Sequence, residues 1–188
     1  RSPVSRAKRL GSDGASAVVH WRDVRGDAHT VDPVSAIVQS FGCQEPRHVV
    51  ASIDSALHLG IIDQDDLDEI FARVPRRFRR LRRLVDGRAE SGPETLARLL
   101  VRQFGRSVEV QKTIAGVGRV DLVVDGWIVI ECDSRAHHSG WTQQEQDRFR
   151  DLALAARGYV SIRPTANMIL TTPRVLTDAV RALLALRR

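Results

Sequence analysis

Asp121, Glu131, Asp133, His137 and His138 are the residues of this chain whose types and spacing suit chemistry. They lie on or just beyond two strand-like runs, Gly118-Arg-Val-Asp-Leu-Val-Val-Asp125 and Trp127-Ile-Val-Ile-Glu-Cys-Asp133. Runs otherwise made of Val, Leu and Ile belong in a core, where an ionised carboxylate is costly without compensation. Two like charges about 4 Å apart repel by roughly 4 kcal/mol at an effective dielectric of about 20. A divalent cation reverses the sign of that interaction, so the pattern points to a metal site suited to chemistry on phosphate. Asp121 and Glu131 would hold Mg2+ or Mn2+, with the Cys132 carbonyl as a further ligand. Asp133 either completes the shell, orients His137, or is a surface acid at a strand end. His137, with His138 beside it, is the group whose pKa permits proton transfer near neutral pH, although adjacent histidines also suit a plain loop.

Whether the acids can share an ion depends on hairpin register, because a one-residue slip sends a side chain to the other face. A two-residue Asp125-Gly126 turn would set Val124 against Trp127 and separate Asp121 from Glu131. A three-residue Val124-Asp125-Gly126 loop sets Val123 against Trp127. Asp121 then lies opposite Val129 and diagonal to Glu131, on one face with Asp133. The other face becomes Val120, Leu122, Ile128, Ile130 and Cys132, all apolar, and this sorting favours the three-residue loop. Cys132 is then a packing residue rather than a nucleophile.

The surrounding elements read as α-β-β-β-α-β-α. Ser91-Gly-Pro-Glu94 is a capping box opening a helix to about Phe104. Glu94 is explained by that cap without any chemistry, and a role in the metal site is the alternative. Strands follow near 107–115, 118–124 and 127–133. In the first, Val108, Val110 and Ile114 alternate with Glu109, Gln111 and Thr113, which lets Gln111 reach the acids as a donor. Lys112 breaks the apolar side and marks a strand end or bulge. Thr142-Gln-Gln-Glu145 caps a second helix with a Phe149, Leu152, Ala153, Ala156 stripe, ended by Gly158. Arg150 on that helix could contact substrate phosphate or pair with Asp147 or Glu145. Tyr159–Arg163 is a fourth strand and Pro173–Arg188 a terminal helix.

Residues 1–14 read as a tail or linker, 15–90 as a small, mainly helical α+β subdomain, and 91–188 as the domain carrying the acids. Short strands are expected at 18–21 and 28–31, and helices at 33–41, 47–59 and 64–74. Asp63-Gln-Asp-Asp-Leu-Asp superficially resembles a calcium loop, but Asp68 and Val74 occupy its glycine and glutamate positions. An N-cap at Asp63 explains the run better. Pro75–Val85 carries Phe78, Leu81 and Leu84 or Val85 at helical spacing among six arginines. Its exposed face, including Arg79 and Arg82, is either merely solvated or tracks phosphates.

The 188 residues carry a net charge of +6, almost wholly as arginine, since Lys8 and Lys112 are the only lysines. Arginine pairs bidentately with phosphate, which favours an anionic partner such as DNA; a GC-rich genome encodes the same bias. Cys43 and Cys132 without paired spacing indicate a reducing, cytoplasmic setting and no structural zinc. No apolar run approaches a membrane span. The chain begins at Arg1 rather than Met, so an upstream domain is expected to be missing.

Three segments together resemble the very short patch repair endonuclease-like branch of the PD-(D/E)xK nuclease superfamily. Glu131-Cys-Asp-Ser-Arg-Ala-His137 is similar to that branch's Glu-x-Asp-Gly-x-x-His. Asp147-Arg-Phe-Arg150-Asp151 is similar to its helical Asp-x-x-Arg-Asp, and Gly158-Tyr-Val-Ser-Ile-Arg163 to its closing strand. The resemblance covers roughly 91–165. It implies a restriction-endonuclease-like α-β-β-β-α-β core, DNA as substrate, and hydrolysis of phosphodiester bonds by Asp121, Glu131, Asp133 and His137 with Mg2+ or Mn2+. Asp133 stands where the broader superfamily has lysine, and Ser134 where the branch often has glycine. Histidine is the natural substitute for that lysine. Residues 15–90 more loosely resemble the region preceding such domains in proteins akin to AbiE-type antitoxins. That likeness implies a repair, regulatory or phage-defence setting, with a partner protein or homodimer. A DNA-binding regulator that keeps the fold without the catalysis is the alternative.

Overall fold

The computed structural model describes residues 29–133 and 141–187, with backbone alone at 141–144, together with two short strands, β1 (Lys8–Arg9) and β2 (Ser16–Ala17). These two pair antiparallel, Lys8 against Ala17 and Arg9 against Ser16. β1 thus falls inside the expected tail. Pairing of backbone amides needs no apolar pattern, so composition did not signal it. The expected strand at 18–21 lies outside the described residues, as does Ala28 of the next.

The first hydrophobic unit is helical: α1 (Pro33–Ser40), α2 (Pro46–His58) and α3 (Gln64–Arg73) pack through Val49, Val50, Ile53, Ile70 and Phe71. Asp63 caps α3 in a reciprocal box with Asp66. The arginine run is one turn of α-helix, α4 (Arg76–Arg79), continued by a 3-10 segment at Arg80–Leu84. The expected single helix is replaced because Phe78, Leu81 and Leu84 recur every third residue. A period of three keeps all of them on one side of a 3-10 turn.

The second unit is α+β. β3 (Val108–Ile114), β4 (Gly118–Val124), β5 (Ile128–Ile130) and β6 (Val160–Ile162) form one open sheet in that spatial order. β3–β4 and β4–β5 are antiparallel, and β5–β6 parallel. α5 (Gly92–Arg102), α7 (Ala166–Thr171) and α8 (Arg174–Ala185) cover one face through Leu96, Val101, Ile169, Leu176 and Val180. α6 (Trp141–Ala155) covers the other face, where Leu154 meets Val120, Val123 and Val129. No described helix is long and apolar enough to cross a membrane.

Two local features differ from expectation and shape the site. At the β4–β5 turn, Asp125 and Gly126 are both left-handed (φ 53° and 76°), and the Trp127 amide donates to Val124 O at 3.2 Å. Trp127 stays out of the ladder, whose first pair is Val124 with Ile128. The loop is therefore three residues, but Asp125-Gly126-Trp127. Moving the loop by one residue shifts the pairing two residues along β5 from the favoured register, so the faces are kept and Asp121 lies opposite Glu131 rather than opposite Val129.

The α6 stripe is also turned outward. Phe149 and Leu152 are each 67% exposed, and Leu154 makes the apolar contact with the sheet. The inward side carries Arg150 and Asp151, which bind Glu131 and Arg163, the residues just past β5 and β6. A charge left unpaired at the sheet costs more than two exposed apolar side chains, and this fixes the rotation of the helix. The helix also begins at Trp141, ahead of the expected Thr142 cap. Leu152→Glu should therefore shift stability by no more than about 0.5 kcal/mol in urea titration. A loss of several times that would restore the inward stripe.

Candidate functional site

The site is built where the N-terminus of α5 meets β3 and β4. Ser91 caps α5 by accepting the Glu94 amide at 3.4 Å and donates its hydroxyl to Glu94 Oε1 at 2.8 Å. The Glu90 amide, rather than the Ser91 amide of the expected reciprocal box, donates to Glu94 Oε2 at 2.9 Å. The cap thus aims the Glu94 carboxylate at the sheet, where Gln111 Nε2 donates to Oε2 at 2.8 Å.

Gln111 reaches that position because its backbone is left-handed, φ 53°, in mid-strand. Val110 pairs with Leu122 and Lys112 with Val120 on either side of it. Side-chain alternation breaks there: Leu122 packs with Val110 under α5, whereas Val120 packs with Ile114 under α6. The misfit of Lys112 in the sequence was the trace of this kink; Lys112 now pairs with Glu109 at 2.7 Å. Holding a non-glycine residue in this region costs on the order of 1 kcal/mol or more, which the surrounding bonds offset.

Asp121 lies opposite that kink. Its Oδ2 accepts the Cys132 amide at 2.8 Å, and its Oδ1 is 3.5 Å from Gln111 Nε2. Burial pushes its carboxyl up to about 6; the Glu94 and Glu131 charges add to the rise, while the Cys132 amide and Gln111 oppose it. The same burial, with the three carboxylates, also raises the Cys132 thiol, which packs in the core under α5. A thiol held in that state is no nucleophile.

Glu131 faces α6 and β6. Arg150 Nε donates to its Oε1 at 2.9 Å, and Arg163 Nη2 lies 2.9 Å from its Oε2. Arg163 also pairs with Asp151 at 2.9 Å and Asp147 at 3.6 Å, and Arg150 donates to the Arg119 carbonyl. The segments Asp147–Asp151 and Gly158–Arg163 therefore converge on Glu131. Arg150 binds neither Asp147 nor Glu145, and Arg163, to which the sequence assigned no role, is the second clasp.

Among the described residues, no three His, Cys, Asp and Glu groups stand ready around one point as metal ligands. Glu131 meets two guanidinium groups and Glu94 three donors. Asp121 is the acid with acceptor capacity to spare. Asp133 is exposed where β5 runs out, its amide bonded to Pro164 O. His137 and His138 lie outside the described residues. Of the basic candidates, Arg79 donates to Ala72 O at 3.2 Å and Arg82 pairs with Asp68.

Comparisons with protein-family models, curated proteins and solved structures return no match for this chain. Fold and site together define an α+β protein with a carboxylate cluster at the seam of α5, β3 and β4, flanked by an arginine clasp.

Proposed function

We propose that this chain is a divalent-metal-dependent endodeoxyribonuclease of restriction-endonuclease-like architecture. The supporting observation is the convergence of Glu94, Gln111 and Asp121 on one seam, with Glu131 just past the end of the adjoining β5. Glu94 and Asp121 are the residues that would hold Mg2+ or Mn2+, and the Cys132 carbonyl and Glu131 would complete the set. The fit is best at Asp121, whose buried charge is repelled by two acids and compensated by no cation among the described residues. Bound there, the ion supplies polarisation of the scissile phosphate and acidifies the attacking water.

The chain's own residues supply positioning. Gln111 ties Glu94 to Asp121 and sets their spacing. Arg150 and Arg163 hold Glu131; were Glu131 to bind the ion instead, their guanidinium groups would suit the substrate phosphate. Asp133 and His137 follow in the chain as the groups to orient and accept the proton of water. Arg79, Arg82 and His138 would contact the DNA backbone, in a setting of repair or phage defence.

Supercoiled plasmid should be nicked or cut by the purified chain with Mn2+ or Mg2+, and Asp121→Ala or Glu131→Ala should abolish it. Cutting that survives both substitutions would exclude this site.

A second reading is favoured by the clasp on Glu131: two arginines already neutralise it, as in a DNA-binding regulator that keeps the fold without hydrolysis. Salt-sensitive DNA binding without cutting under any divalent ion would select that reading.

A further inference from the structure

One helical turn along α5 from Glu94, a separate cleft of about 250 Å³ opens between α5 and β3. Arg98 forms its floor, and Arg88, Arg102 and Arg106 its rim. Four guanidinium groups thus face one lining carboxylate, Asp86, and that one is already used. Arg88 Nε and Nη2 donate to its two oxygens at 2.9 and 2.8 Å, and these bonds hold its carboxyl below the usual range. Arg106 lies 3.8 Å from Asp125, beyond hydrogen-bond distance, and Arg102 has no partner among the described residues.

The floor carries the argument. Arg98 is 1% exposed, and its Nη2 donates to Asp54 Oδ2 at 2.6 Å and to Leu84 O at 2.7 Å. Its Nε and Nη1 are buried and have no hydrogen-bond partner among the described residues. Buried donors are almost always satisfied, and a charged group left short is costlier than a neutral one. An acceptor anion in the cleft would satisfy them.

We propose that this cleft is a phosphate-binding site distinct from the acid cluster. A tetrahedral oxyanion accepts from several guanidinium forks at once, which a planar carboxylate does less completely. The volume lies below the ~300–1,000 Å³ of ordinary small-molecule pockets, so it suits a single phosphate group rather than a whole nucleotide. That group is either free inorganic phosphate or the terminal phosphate of a nucleic-acid strand. The site does not depend on the function assigned to Asp121.

Inorganic phosphate titrated into the full chain at constant ionic strength should bind saturably by calorimetry and shift the Arg98 Nε–H resonance in NMR. Arg98 is structural, so the exposed rim provides the variant: Arg102→Glu should weaken binding by about tenfold or more, whereas Arg83→Ala, outside the cleft, should not. A 5′-phosphorylated oligonucleotide that displaces phosphate, where its 5′-hydroxyl counterpart does not, assigns the site to strand ends. Displacement by neither assigns it to the free ion. The proposal is overturned if neither phosphate nor the phosphorylated strand shifts Arg98, or if Arg102→Glu binds as tightly as the parent.

Discussion

Arg98→Met should lower stability by about 3–5 kcal/mol, the largest loss expected of any single substitution in this chain. Arg98 and Asp54 join the helical unit to the α+β unit: α2 supplies the aspartate, α5 the arginine, and both side chains are at most 2% exposed. Asp54 also accepts the Asp86 amide at 2.8 Å and the Thr95 hydroxyl at 2.8 Å. Burial still drives its carboxyl upward against all of these bonds. Removing the arginine strands that carboxylate in a dry seam, the costly half of breaking a buried pair. Asp54→Asn keeps an acceptor for the Asp86 amide, so Asp54→Asn/Arg98→Met should recover more than half of the loss. Urea titration of the four proteins closes the cycle. An Arg98→Met protein within about 1 kcal/mol of the parent would mean that the two units are held by apolar contact alone.

Asp121→Asn should stabilise the protein above neutral pH, by up to about 3 kcal/mol. The folded carboxyl, at about 6, lies above its ordinary value of 3.8. Between those values the folded state binds more proton than the unfolded one, so stability falls as pH rises through that window and levels off above it. Asparagine carries no charge to repel Glu94 and Glu131, and still offers an acceptor to the Cys132 amide. The gain should therefore be large at pH 8 and absent near pH 4, read as melting temperature against pH. A variant less stable than the parent at pH 8 would show that the Asp121 charge is already compensated.

Much of the second unit was legible from the sequence because local signals there agree. The Ser91 cap, the β-branched runs and Gly158 all sit where their elements begin or end. The cap that positions Glu94 is a short-range rule and was readable, whereas Gln111 reaches Asp121 through a left-handed kink that breaks the alternation expected of β3. What escaped was decided over long distances. Asp54 and Arg98 are 44 residues apart, and no spacing rule joins them. The rotation of α6 followed from Glu131 and Arg163 attracting Arg150 and Asp151, so an apolar stripe that would cover a core on its own faces outward. In the hairpin, parity was readable because apolar residues sort by face. The remaining two-residue shift depended on two consecutive left-handed residues, Asp125 and Gly126, leaving Trp127 outside the ladder.

Titration of Mn2+ into the full chain by calorimetry tests the carboxylate cluster most directly. Saturable uptake of one ion, lost in Asp121→Asn and weakened in Glu94→Gln, is the expected result. Absence of uptake, or uptake unchanged by Asp121→Asn, would contradict a metal centre at the seam of α5, β3 and β4.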